Sequence, residues 1–163
     1  MLTNRDFKDL LHALNAEGAK YLLIGAYAVA YYAEPRYTKD FDLWIASDRR
    51  NTDRIWKALG LFGAPLSELT KEDLQDPTII YQIGIAPNRI DLLVQPGRIS
   101  FEDAWKRRVT SRYDDERLPI IGIHDLIRLK KAAGRPQDLE DIRNLKKALV
   151  LSKGVRHRKP DKR

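Results

Sequence analysis

The sequence predicts an α/β domain of the α+β kind, in which short strands and helices alternate. Three observations carry this. Leu22, Leu23 and Ile24 form an apolar strand-like run that stops at Gly25, from which a short helical stretch continues. Phe7, Leu10, Leu11 and Leu14 precede it at the spacing of an amphipathic helix. Further along, two apolar runs flank Ala86-Pro87-Asn88, the pattern of an antiparallel hairpin. With 163 residues and 43% hydrophobic composition, the chain is long enough for one domain with a real core. The predicted division is a single domain over 1–151 and a basic tail over 152–163.

Taken in order, the first helix has Thr3 as N-cap, Asp6 in its first turn, His12 on its surface and Gly18 as its stop. Tyr21–Ile24 is a buried strand, and Gly25 turns the chain sharply into a helix over 26–33 whose small residues permit close approach to a sheet. Glu34-Pro35 ends that helix, because the residue before proline is pushed out of the helical region. Arg36, Tyr37, Thr38 and Lys39 lead into a strand that opens on Asp40-Phe-Asp42 and continues through Leu43, Trp44 and Ile45. Asp48 caps a helix to about residue 59 with Ile55, Trp56 and Leu59 inward, and Gly60 and Gly63-Ala-Pro65 break it. Residues 66–76 read as a short polar helix and loop, with Leu66, Leu69 and Leu74 inward.

The hairpin strands span 78–85 and 89–94, with Pro87 and Asn88 central in the turn. A helix over 101–107 packs Trp105, while Lys106, Arg107, Arg108 and Arg112 form a solvated basic cluster. Residues 109–113 and 118–121 are short edge strands. A helix from Ile123 ends at Gly134, and Pro136 opens a last one with Leu139, Ile142, Leu145 and Leu149 inward. Trp44 and Trp56 belong to the core.

The chemistry-bearing stretch is 22–45. Side chains at i and i+2 of a strand share a face, so Asp40 and Asp42 point the same way with Cα atoms about 6.6 Å apart. Two such carboxylates can grip a pair of divalent cations about 3.5–4 Å apart. The plainer alternative makes Asp40 a turn residue and Asp42 an edge charge. Asp42 runs straight into Leu43, Trp44 and Ile45, however, and an unpaired buried carboxylate is costly, so a metal or a cationic partner belongs there. Asp91, the one carboxylate in Arg89-Ile-Asp91-Leu-Leu-Val94, can join them if its strand lies beside theirs; otherwise it is a hairpin-end charge in water.

Around these carboxylates the candidates are cationic or phosphate-binding. The bend at Gly25 leaves the first N–H groups of a helix pointing outward, which suits a phosphate. Arg36 and Thr38 alternate with Asp40 and Asp42, which places all four on one side; Arg36 is either an ion-pair partner or a substrate contact. Lys130 and Arg135 become phosphate or acceptor contacts if the last two helices close over the carboxylates. Asp138 and Asp141, one helical turn apart, have the helix dipole as their default task.

Composition excludes several classes. The chain has no cysteine, so disulfides, thiolate metal sites and thiol nucleophiles are out, and His12, His124 and His157 are too scattered for a zinc centre. Any metal must be hard and oxygen-liking, magnesium or manganese. No stretch reaches the roughly 20 apolar residues of a membrane span, and Met1 to Lys8 is too polar for a secretory signal, so a cytoplasmic location is expected. The net charge is +7, of which residues 152–163 supply +5 (six basic residues against Asp161). That segment reads as a disordered, solvated end, with contact to a nucleic-acid backbone as the second reading.

Set side by side, Gly25, Arg36-Tyr-Thr38-Lys-Asp40-Phe-Asp42-Leu, Asp91, Lys130 and Gly134-Arg135-Pro136-Gln-Asp138-Leu-Glu-Asp141 resemble the motifs of the minimal nucleotidyltransferases of the DNA polymerase β-like superfamily, most of all the AbiEii-type toxin branch. The resemblance covers about residues 20–148. It implies a mixed β-sheet flanked by helices, with Asp40, Asp42 and Asp91 as catalytic and metal-binding residues for Mg2+ or Mn2+. Gly25, Ala26, Arg36, Thr38, Lys130 and Arg135 would contact a nucleoside triphosphate, whose monophosphate passes to an RNA or protein acceptor. A toxin–antitoxin setting, with a cognate antitoxin as partner, comes with that branch. One position departs from the pattern: Ala26 stands where the family carries glycine or serine, so a hydroxyl contact to the triphosphate is missing. The alternative function is therefore a nucleotidyltransferase-fold binding partner with weak or no turnover. A magnesium-dependent nuclease would also cluster carboxylates but has no need of the Gly25 bend.

Overall fold

The computed structural model describes residues 4–156, with side chains through 154. In chain order the elements are α1 (Arg5–Ala16), β1 (Tyr21–Ile24), α2 (Gly25–Tyr32), β2 (Asp40–Ile45), α3 (Arg49–Phe62), a 3-10 turn (Asp73–Gln75), β3 (Ile80–Ile83), β4 (Arg89–Leu93), α4 (Phe101–Lys106), β5 (Val109–Tyr113), β6 (Glu116–Ile120), α5 (Ile123–Ala133) and α6 (Pro136–Arg156). The strands form one six-stranded sheet in the order β3-β4-β2-β1-β6-β5. β2–β4 and β1–β6 pair parallel, and the other neighbours pair antiparallel. The molecule is therefore a mixed sheet flanked by helices, an α+β fold.

Alternation along β2 decides what each face of the sheet carries. Phe41 and Leu43 are fully buried, and Phe41 stacks on Phe7 of α1 with ring centroids 4.4 Å apart. Asp40, Asp42 and Trp44 point to the other face. Trp44 is buried there, meets Phe101 of α4 edge-on at 5.2 Å, and donates its indole N–H to the Val94 carbonyl at 3.0 Å. The core is thus continuous on both faces, and the carboxylates occupy the end of β2 where apolar cover stops.

Asn4 caps α1, its side chain accepting from the Asp6 and Phe7 amides at 2.9 and 3.2 Å, while Thr3 lies outside the described residues. Gly60 lies inside α3, which Gly63 closes in the left-handed region at φ +85°. Trp56 is only partly buried. The hairpin turn is closed by the Asn88 amide on the Ile85 carbonyl at 2.9 Å, so its central residues are Ala86 and Pro87, joined by a cis peptide.

β6 is not an edge strand. Ile120 pairs with Leu23 and the Ile121 amide bonds the Leu23 carbonyl at 3.1 Å, which leaves β5 as the border on that side. The basic cluster after α4 is only partly solvated, because Arg107 makes a bidentate pair with buried Asp125 at 2.8 and 3.0 Å and the Arg108 guanidinium lies 3.9 Å over Trp105. Leu139 is exposed, since Asp138, Asp141, Ile142 and Leu145 take the inward positions of α6. α6 continues to Arg156, past the expected start of the tail at 152; residues 157–163, with His157, lie outside the described residues.

Candidate active site

The parallel register of β2 and β4 sets Asp40 opposite Arg89 and Asp42 opposite Asp91. Each pair of residues is spaced i, i+2, so four charged side chains form a two-by-two block on one face. On the other side of β2, Asp42 is in register with Ile24 of β1, and the next residue is Gly25. Gly25 has φ +70°, and a Cβ there would lie 2.1 Å from Asp42 Oδ2. Glycine is required both by the turn and by the carboxylate beside it.

The block carries three negative charges. Burial, then the neighbouring Asp91 and Asp40 carboxylates, raise the Asp42 carboxyl to about 6, with Lys130 and Arg89 acting against them. Arg89 supplies the nearest compensation. Its guanidinium donates to Asp91 Oδ1 at 2.9 Å and Oδ2 at 3.1 Å, and forms an ion pair with Asp40 Oδ2 at 3.1 Å. The Arg89 side chain is 31% exposed and that of Asp91 only 10%.

Across the cleft, α5 and α6 present a second charged group. Lys130, with a side chain 7% exposed, bonds Asp138 at 3.1 Å and Asp141 at 2.8 Å. Asp141 also takes a bidentate pair from Arg36 at 2.9 and 3.0 Å, and Asp138 accepts from Arg135 Nε at 2.8 Å and from its backbone amide at 3.1 Å. Burial alone would raise both carboxyls, but the bonds from Arg135 and Lys130 on Asp138, and from Arg36 and Lys130 on Asp141, outweigh it and hold both below the usual range. Both aspartates therefore fix the position of Lys130, which is more than the dipole role expected of them.

Between the two groups lies a cleft of about 270 Å³, lined by Gly25, Asp40, Asp42, Arg89 and Asp91 on one side and Lys130, Arg135 and Asp138 on the other, with Ile24, Leu93, Leu126 and Leu129 as apolar wall. Six expected site residues (Gly25, Asp40, Asp42, Asp91, Lys130, Arg135) meet there. Arg36 and Thr38 do not share the carboxylate face, because β2 begins only at Asp40 and residues 34–38 are irregular. Arg36 turns to Asp141, and the Thr38 hydroxyl bonds the backbone of Asp40. Ala26 is buried, 6% exposed, behind Gly25.

Among the described residues, no three acidic or histidine side chains converge closely enough to hold a metal ion as they stand. Arg89 instead pairs with two of the three carboxylates, Asp91 and Asp40. The donor chemistry still fits a hard divalent cation: the oxygens are all carboxylate, their negative charge exceeds the one guanidinium, and among the described residues no cation lies within ion-pair distance of Asp42. Arg89 is the candidate the sequence reading leaves out, and Asp138 and Asp141, matched there to the motif with only a dipole task, hold Lys130 in place. For Arg89 the signal was present, since Arg89-x-Asp91 repeats the spacing of Asp40-x-Asp42.

No family model matches the sequence, and no curated protein matches it. Solved structures do. The lincosamide antibiotic adenylyltransferase LnuA, in its lincomycin-bound form, superposes with a TM-score of 0.57 at 16% identity over 89% of this chain and 97% of that one. An antigenic nucleotidyltransferase-like protein from Paracoccidioides brasiliensis superposes with a TM-score of 0.54 at 17% identity over 92% of this chain and 78% of that one. At such identities the likeness is one of backbone architecture: this chain has the nucleotidyltransferase fold.

Proposed function

We propose that the chain is a metal-dependent nucleotidyltransferase that moves a nucleoside monophosphate from a triphosphate to a hydroxyl of RNA or protein. The observation that carries this reading is the placement of Asp40, Asp42 and Asp91 on one sheet face beside the Gly25 bend, across a cleft from Lys130. Asp40 and Asp42 would hold Mg2+ or Mn2+, with Asp91 completing the set. The chemistry supplied by such cations is orientation of the triphosphate and neutralisation of charge on its oxygens.

The chain's own groups do the rest. The N–H groups that open α2 at Gly25 face a phosphate, and Lys130, held by Asp138 and Asp141, meets phosphate oxygens from the opposite wall. Asp91 takes the proton of the acceptor hydroxyl. The freed oxygen bonds to the α-phosphorus, and the bond to the bridging oxygen breaks to release pyrophosphate. Arg36, tied to Asp141, supports Lys130 in place of contacting substrate.

The resemblance of the motifs to the AbiEii-type branch supports a toxin–antitoxin pair with an antitoxin as partner, and the polar N-terminal stretch supports a cytoplasmic setting. Among the described residues no helix is long and apolar enough to cross a membrane. A second reading, a binding partner of low turnover, draws on Ala26 and on the Arg89 contacts that occupy the carboxylates. Incubating the protein with each α-labelled nucleoside triphosphate, magnesium and total RNA separates the two. Label in RNA or in protein supports transfer; no labelled product supports the binding partner, and shortened RNA without label indicates a nuclease.

A further inference from the structure

We propose that Arg89 is a resident counter-cation of the carboxylate block, which divalent cations must displace in order to bind. The proposal rests on the reading of Asp40, Asp42 and Asp91 as the cation site. Its basis is geometric. The guanidinium hydrogen-bonds both oxygens of Asp91 at 2.9 and 3.1 Å and forms an ion pair with Asp40 Oδ2 at 3.1 Å, and those are oxygens a metal would need. The fork spans both strands because Arg89 faces Asp40 in register and sits two residues from Asp91 on the same strand face.

Arg89 is also placed to leave. It is the first residue of β4, next to the exposed hairpin turn at 84–88, and its side chain is nearly one-third exposed. Moving into water costs a guanidinium little, whereas Lys130, with a side chain 7% exposed and two carboxylate partners, has no such route. Between them the two cations divide the labour. Lys130 is fixed, and Arg89 is exchangeable. A pair of carboxylates held by one guanidinium stays ordered without metal, with part of its negative charge offset. A monovalent ion gains too little to replace the fork. A divalent ion, carrying twice the charge into the same oxygens, displaces it. Arg89 thereby sets a threshold for divalent occupancy, and with it for binding of a metal-bound triphosphate.

The test uses the full chain and Mn2+ alone. Binding is measured by electron paramagnetic resonance for wild type, R89A, D91N and R98A, the last removing an exposed arginine of the same charge from outside the block. R89A is expected to bind Mn2+ about tenfold more tightly than wild type, R98A within about twofold, and D91N more weakly. In parallel, the Arg89 Nε–H resonance of 15N-labelled wild type should be protected without metal and lose that protection as Mg2+ is added. Equal or weaker Mn2+ binding by R89A, or a gain matched by R98A, overturns the role of Arg89. If D91N still loses Mn2+ in that case, the carboxylate site stands without the displacement step. If wild type, R89A and D91N all fail to bind Mn2+, both the site and the role of Arg89 fall.

Discussion

Arg89 stands directly opposite Asp40 in the parallel register of β2 and β4, and the two form an ion pair at 3.1 Å. That contact puts a positive group inside a cluster that would otherwise consist of three carboxylates. Asp42 lies outside that contact: burial first, and then the Asp91 and Asp40 carboxylates, raise its carboxyl, with Lys130 and Arg89 acting against the rise.

Replacing Asp42 by asparagine should remove transfer and leave the fold intact. The substitution deletes a charge that burial and two neighbouring carboxylates oppose, so metal-free melting at pH 7 is expected unchanged or higher, by up to about 3 kcal/mol in stability. Urea denaturation together with a transfer assay measures both quantities. A loss of several kcal/mol would make Asp42 a structural residue.

The same carboxyl fixes a pH dependence. Its value is about 6 in the folded chain against 3.8 for an ordinary aspartate, so between these the folded state binds a proton that the unfolded state does not. Metal-free stability from this group is full below about pH 4 and falls as pH rises to about 6. The stability difference between D42N and wild type should therefore widen with pH across that window when measured in chelator. A difference that is constant or narrows contradicts the assignment.

Gly25→Ala should damage both fold and site. Alanine is strained at φ +70°, and its Cβ would press on Asp42 Oδ2 at 2.1 Å. A loss of at least about 1 kcal/mol is expected, with triphosphate affinity falling further than stability accounts for. Calorimetric titration of a non-hydrolysable triphosphate on the folded variant checks this.

Asp141→Ala leaves Lys130 with one carboxylate and Arg36 with none. Breaking a buried ion pair from one side costs about 3–5 kcal/mol, reduced here because Asp138 still bonds Lys130 at 3.1 Å, so about 2–3 kcal/mol is expected. Lys130→Met should lose transfer activity with a smaller change in melting temperature, since Arg36 and Arg135 still serve both aspartates. Equal activity of Lys130→Met and wild type would remove Lys130 from the proposed mechanism.

Local signals were readable in the sequence; pairings across the sheet were not. Helical spacing of Phe7, Leu10, Leu11 and Leu14, the Asp48 cap and the Gly25 bend all act within a few residues, and each appears where the pattern placed it. The neighbour of a strand is chosen by long-range packing, so Leu118 and Ile120 gave no sign that β6 lies inside the sheet beside β1. The meeting of Asp91 with Asp42 was conditional for the same reason, and β4 satisfies the condition by pairing with β2. By sequence Asp138 and Asp141 are helix-dipole charges, and their inward direction depends on α5 packing against α6. Arg36 lies off the carboxylate face because residues 34–38 are irregular, so the alternation of β2 does not reach back to it.

The account rests on the carboxylates of β2 and β4 gripping cations and a triphosphate in the cleft below Lys130. The most direct measurement is anomalous diffraction from crystals grown with Mn2+ and a non-hydrolysable nucleoside triphosphate. The account predicts manganese peaks bounded by Asp40, Asp42 and Asp91, with Arg89 turned away and phosphates against Gly25 and Lys130. Manganese or triphosphate bound elsewhere, with Arg89 still joined to Asp40 and Asp91, would contradict it.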